Sequence, residues 1–172
     1  MYPSIDWRKY LLNKTSMQTQ HNLNISGGTK DIRYFISLGF LYQNGLLKQF
    51  EGVGYDNNYK YKRYNYRANL DFNVTKTTTL KIGIGGIVGN RNEPMINDAT
   101  NSIWTLINQT TPFSSPGVID GQLIVTPEER FDNKINLGNS ALPKCYGTGY
   151  STAINNTMNL DLLLNQKLDF IT

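Results

Sequence analysis

The sequence predicts an all-β chain: an arc of about five antiparallel strands from a large transmembrane β-barrel, with long extracellular loops. Three observations carry this expectation. Apolar and polar residues alternate over several segments of barrel-strand length, and short turns and long loops alternate between those segments. One face of the strands also carries arginine, aspartate and much asparagine, which would be costly in a closed dry core and are at ease facing a wide wet lumen.

The alternation is clearest from Tyr64 to Val74. Tyr64, Tyr66, Ala68, Leu70, Phe72 and Val74 fall on one face, and Arg63, Asn65, Arg67, Asn69, Asp71 and Asn73 on the other. Before it, Ile32, Tyr34, Ile36, Leu38, Phe40 and Tyr42 form an apolar series opposite the mixed and smaller Arg33, Phe35, Ser37, Gly39, Leu41 and Gln43. A shorter first strand sets Leu23 and Ile25 against Gln20, Asn22 and Asn24. After it, Leu80, Ile82, Ile84 and Val88 face away from Lys81, Gly83, Gly85 and Gly89. The last strand sets Ile154, Met158, Leu160, Leu162 and Leu164 against Asn155, Thr157, Asn159, Asp161 and Asn165. The expected strands are about 18–26, 32–43, 63–75, 80–90 and 151–168.

Their connections come in two kinds. Gly27 to Asp31 and Thr75 to Thr79 are short turns, whereas Asn44 to Lys62 and the stretch of about 91–149 are long, polar and rich in Asn, Gly and Pro. Short turns at one end and long loops at the other match a barrel with periplasmic turns and extracellular loops. A loop as long as the second should contain elements of its own. Ala99 to Gln109 reads as a short helix with Ile103, Leu106 and Ile107 on one face and Asp98 as N-cap. Val118 to Ile124 reads as a tight hairpin turning at Asp120-Gly121.

A soluble sandwich alternates too, so the membrane reading needs more. The strands, at about 9 to 13 residues, suit a tilted membrane crossing, while soluble strands peak near about 5 or 6. Tyr34, Tyr42, Tyr61, Tyr64 and Phe72 gather towards strand ends, as interfacial girdles require. Five strands cannot close a barrel, so the chain is expected to be a fragment, a truncated gene product or one part of a split barrel.

The bulk numbers agree with this palette. Of 172 residues 39% are hydrophobic and 17% charged, which leaves a large uncharged polar pool dominated by Asn, Thr, Gly and Tyr, with Ala and Glu scarce. A net charge of +4 does not call for nucleic acid, and none is expected as a partner. The run Lys60, Lys62, Arg63 reads as a solvated loop end. Nor does any stretch approach the roughly 18 apolar residues of a transmembrane helix. Met1 to Ser4 opens into a charged aromatic segment with no signal peptide, which places the expected true N-terminus upstream.

Several motifs resemble one family. Gln20-His21-Asn22-Leu23-Asn24-Ile25-Ser26-Gly27-Gly28 is similar to the strand and turn "QNHNLSVSGG" of SusC/RagA-like TonB-linked outer-membrane proteins. Tyr34 to Lys48 resembles their "YYxSLGYxxQEGI" segment, Arg63 to Asp71 their "RYSxRxNLD" strand, Asp6-Trp7 their "DW" approach, and Gln166 to Thr172 a later turn. The resemblance covers most of the chain outside about Pro94 to Cys145. It implies part of a TonB-dependent importer of oligosaccharides or peptides in the bacterial outer membrane, a 22-stranded barrel with an N-terminal plug. The implied partners are the remainder of the barrel and the plug, a SusD-like surface lipoprotein, TonB through an N-terminal region that this chain lacks, and outer-membrane lipid.

Catalytic chemistry is not expected. Cys145 and His21 are each single, no Gly-x-Ser-x-Gly elbow exists, and no catalytic, cofactor-binding or metal site is assigned. Gly83 to Gly89 fails the Gly-x-Gly-x-x-Gly spacing because position 88 is Val, and reads instead as small residues on a lumen face. The candidate lumen-facing residues are Arg63, Asn65, Arg67, Asn69 and Asp71, which would meet the plug or substrate hydroxyls or simply be solvated. Trp104 and Phe113 are candidate loop contacts to sugar or lipoprotein, with packing inside the loop as the plainer alternative. A different class of function remains open: a non-transporting β-domain that binds a ligand or partner at the cell surface.

Overall fold

A computed structural model describes residues 4–96, 102–125 and 141–168. It is mostly β, with one five-stranded antiparallel sheet of order β1-β2-β3-β4-β7. The strands are β1 (Gln18–Gly28), β2 (Ile32–Asn44), β3 (Lys60–Asn73), β4 (Thr78–Pro94) and β7 (Tyr150–Gln166). Between β4 and β7 lie α2 (Ile103–Gln109), the hairpin strands β5 (Val118–Ile119) and β6 (Gln122–Leu123), and α3 (Ala141–Tyr146); α1 (Trp7–Leu11) precedes β1. No helix among the described residues is long and apolar enough to cross a membrane.

The chain divides into two compact units. The first holds Met1–Met17, Asn44–Lys60 and Arg91–Thr152; the second holds Gln18–Gln43, Tyr61–Asn90 and Ala153–Thr172.

In the second unit the strands form where apolar, aromatic and polar residues alternate at period 2, and threonine turns separate them. The Thr29 hydroxyl accepts from the amides of Asp31 and Ile32 at 3.3 Å each. The Thr75 hydroxyl accepts from the amides of Thr77 at 3.2 Å and Thr78 at 2.9 Å, which bends the chain there. β3 therefore ends at Asn73 rather than the expected 75. At its other end it starts at Lys60, so Lys60, Lys62 and Arg63 open a strand and are not a loop end. β1 is longer than expected because Gly27 and Gly28 pair with Tyr34 and Arg33. The same register sets His21 opposite Phe40, Leu23 opposite Leu38 and Ile25 opposite Ile36.

The first unit holds a true hydrophobic core. Trp7, Leu11, Leu47, Ile103, Leu106, Ile107, Ala141, Leu142, Cys145 and Tyr146 are buried together. Trp7, Tyr10, Phe50 and Tyr146 form a chain of ring contacts 5.3–5.8 Å apart, edge-on or stacked as the ring quadrupole prefers. Asparagines close the polar accounts inside it. Buried Asn57 donates to the Cys145 carbonyl at 2.5 Å, and buried Asn58 accepts from the Leu47 amide at 3.1 Å.

The expected helix in the long loop is shorter than its sequence pattern. It begins at Ile103 because Ser102 caps it, accepting from the Thr105 amide at 3.3 Å. The expected cap Asp98 and residues 99–101 lie outside the described residues. Ile103, Leu106 and Ile107 are its buried face. The hairpin turns at Asp120-Gly121 with φ of 51° and 79°, the two positive values a type I′ turn requires.

Candidate functional site

The polar face of the second unit is the candidate site, and glycines shape it. Asn22 pairs in register with Gly39, and a Cβ on Gly39 would stand 3.0 Å from Asn22 Oδ1 and 3.3 Å from Asn65 Nδ2. The missing side chain lets two carboxamides from β1 and β3 converge over β2. On β4, Gly83 is flanked by Asn69 and Asp161, each 3.5 Å from where its Cβ would be, and Gly85 lies beside Arg67. The small residues of β4 thus leave space in front of polar side chains from both neighbouring strands.

That space is an open hollow bordered by Arg33, Phe35, Arg67, Asn69, Asp71, Lys81, Gly83, Asp161 and Leu163. Three cations and two carboxylates line it. The side chains of Arg33, Lys81, Asp71 and Asp161 make no hydrogen bond or ion pair among the described residues, whose ion pairs are Lys9–Asp6, Lys60–Asp56 and Arg91–Glu93. Charged groups without protein partners require water or a ligand. Arg67 reaches its strand neighbour Asn69, with Nε 3.3 Å from the amide oxygen once that amide is turned to satisfy both of its ends. The Arg63 Nε atom is buried without a partner among the described residues.

The five candidates of β3 therefore differ. Arg67, Asn69 and Asp71 border the hollow, Asn65 meets Gly39 near Asn22, and Arg63 is not among the hollow's residues. Sequence reasoning named none of Arg33, Lys81 or Asp161 as site residues, although each occupies the polar parity of its strand. The candidate loop contacts are both open to solvent. Trp104, on the outer side of α2, is 49% exposed and Phe113 is 59% exposed.

Cys145 is fully buried, and burial pushes its thiol up to about 12. A thiol so rarely ionised is a poor nucleophile. No group of three or more His, Cys, Asp or Glu side chains among the described residues is placed to hold a metal ion.

The opposite face of the same sheet is apolar and bare. Leu23, Ile25, Leu38 and Tyr64 are 47–56% exposed, and Ile154, Met158, Leu160, Leu162 and Leu164 are 64–71% exposed. Exposed apolar surface on this scale marks a face that a membrane or another protein surface covers.

Comparison with known proteins finds a likeness to a receptor. Over 64% of its length the chain is 26% identical to the TonB-dependent receptor SusC of Bacteroides thetaiotaomicron. The chain spans 12% of the length of that relative. No protein-family model matches the sequence, and no solved structure matches it.

Proposed function

We propose that this chain forms part of the wall and outer loops of a TonB-dependent importer in the bacterial outer membrane, taking up oligosaccharides or peptides. The observation that carries the reading is the two-faced sheet: bare leucines, isoleucines and methionine on one side, unpaired charges on the other. Lipid suits the first face and a water-filled lumen the second.

The dimensions support it. From Ile154 to Leu164 the outward parity of β7, apolar except at Asn156, extends roughly 33 Å at ~3.3 Å per residue. At a strand tilt of ~40° it has a height of roughly 25 Å, the height of a barrel's lipid-facing band. β1 and β7 are the outer strands of the sheet, and each needs a neighbour, since an open edge in lipid leaves amides unpaired at several kcal/mol each. The remaining strands and a plug would supply closure. The connections carrying Trp104 and Phe113 would face outward, where a SusD-like lipoprotein and the substrate would meet them; TonB would act through a region outside this chain. The likeness to a receptor favours transport.

The test is the intact mass and gel behaviour of the native polypeptide from the outer-membrane fraction. A mass several times 19.5 kDa with heat-modifiable migration is expected. Recovery as a soluble monomer near that mass would overturn the reading in favour of a surface binding domain.

A further inference from the structure

Resting on the lipid-facing reading above, we propose that one end of the apolar face carries a built site for a phosphate-bearing lipid headgroup, centred on Lys62. Three observations converge there. His21, Phe40 and Tyr64, from three successive strands, form a ring row across the face, with centroids 6.4 and 5.1 Å apart. One step further towards the long connections, the Lys62 ammonium stands over the Tyr42 ring, 6.0 Å from its centroid. Between that row and the turns, the apolar parity of β1, β2, β3, β4 and β7 contains no ionised side chain.

The chemistry follows from this order. Aromatic rings gather where hydrocarbon gives way to headgroups, and His21 and Tyr64 add polar atoms at that level, so the row marks the border of the apolar layer. An ammonium just beyond that border sits at phosphate level, its stem lying along apolar surface. Lys62 has no carboxylate partner among the described residues, unlike Lys60, which pairs with Asp56. Its charge is therefore presented outward. No carboxylate shares this face of the sheet to repel an anion, while Asp71 and Asp161 border the hollow on the opposite face. Free phosphate would gain only the ammonium, whereas a lipid gains it and the ring row beneath together, so the occupant is a lipid. The Tyr42 ring holds the ammonium in place, which lowers the cost of fixing a long flexible side chain.

The experiment uses the full protein in vesicles of phosphatidylcholine mixed with phosphatidylglycerol, with a photo-crosslinking residue at either of two positions. Thr19 pairs in register with Tyr42, beside the proposed site, and Leu162 lies in the middle of the apolar series, 71% exposed. From Thr19, adducts enriched in phosphatidylglycerol are expected. The enrichment should fall about fivefold in Lys62→Gln, persist in Lys62→Arg, and not change in Lys81→Gln on the other face. Equal enrichment in Lys62→Gln and the parent protein overturns the site. Lipid adducts from Leu162 without a phosphatidylglycerol preference at Thr19 overturn the site alone, and no lipid adduct from Leu162 overturns the membrane reading with it.

Discussion

The phenol of Tyr34 lies over Gly27, its register partner across the β1–β2 hairpin, with the hydroxyl oxygen 2.6 Å from where a Cβ on Gly27 would stand. The same arrangement recurs further along the sheet. Tyr66 covers Gly86 at 2.5 Å, and the Tyr61 hydroxyl stands 3.2 Å from the Cβ position of Gly89. A glycine in a strand has no side chain to pack, and a neighbouring ring restores the cover.

Gly27 and Gly28 make a matched test of that relationship. At Gly27→Ala the obstacle is the end of a half-exposed ring that can swing aside, so the loss is expected to be about 1 kcal/mol. At Gly28→Ala the new methyl meets the Ile32 carbonyl and lies 2.9 Å from Arg33 Cα, and backbone cannot swing. About 2–3 kcal/mol is expected there. Unfolding of the intact protein in vesicles by urea would rank the two, and equal losses would mean that ring cover is not what separates them.

The core of the first unit gives a sharper contrast along one short helix. Leu106 is fully buried and Trp104 is 49% exposed, two residues apart on α2. Leu106→Ala should cost about 2–5 kcal/mol by leaving a cavity. Trp104→Ala should stay within about 0.5 kcal/mol, as exposed sites do. If Trp104 is a contact residue, its loss weakens partner or substrate binding at unchanged stability. A large drop in melting temperature for Trp104→Ala would assign it to packing instead.

Alkaline pH should loosen that same core. The Cys145 thiol is raised from 9.0 to about 12, and the Tyr146 phenol is also raised, both chiefly by burial. In the unfolded chain the thiol ionises first, so above its ordinary value the unfolded state holds fewer protons and folding weakens as pH rises. The contribution is complete below pH 9.0 and is lost progressively towards about 12. Cys145→Ala should flatten that part of the pH profile, and a thiol reagent at neutral pH should modify Cys145 only as fast as the core opens. Rapid modification at neutral pH would show that the thiol is not sealed.

These two units were not equally legible in the sequence. In β2 and β3 the side-chain parities could be read from period-2 alternation, because apolar and aromatic residues gather on one face and polar ones on the other. The core of the first unit has no period to read. Trp7 donates to the Thr111 carbonyl at 2.7 Å, and Tyr146 donates to the Lys48 carbonyl at 3.0 Å, across about a hundred residues each. α3 was invisible for a second reason: with Pro143 in its first turn and one basic residue, it reads as a loop. The candidate site suffered similarly. Arg67 and Asp71 announced themselves by sharing a strand, while Arg33, Lys81 and Asp161 join them only through sheet order.

On the proposed importer reading, the hollow on the polar face should matter to uptake more than to folding. Arg67 carries its charge on an exposed side chain whose one hydrogen bond among the described residues is to Asn69. Arg67→Ala in the full protein should leave heat-modifiable migration unchanged and lower substrate uptake, and Arg67→Lys should restore part of it. Unchanged stability together with unchanged uptake would leave Arg67 as an ordinary solvated charge.

Adjacent residues of β7 separate the two faces most directly. Leu160 is 66% exposed in the middle of the apolar series, and Asn159 has the opposite parity, shared with Asp161 beside the hollow. On a barrel wall Leu160→Lys places an ammonium in hydrocarbon and should cost about 2–4 kcal/mol, whereas Asn159→Lys places it in the lumen and should cost little. On a soluble sheet the order reverses or vanishes, because lysine at an exposed apolar position is harmless and even protective. Urea unfolding of the two variants in vesicles, set beside the parent protein, reads the difference. A Leu160→Lys protein as stable as Asn159→Lys would leave the bare face without lipid and remove the physical basis of the importer reading.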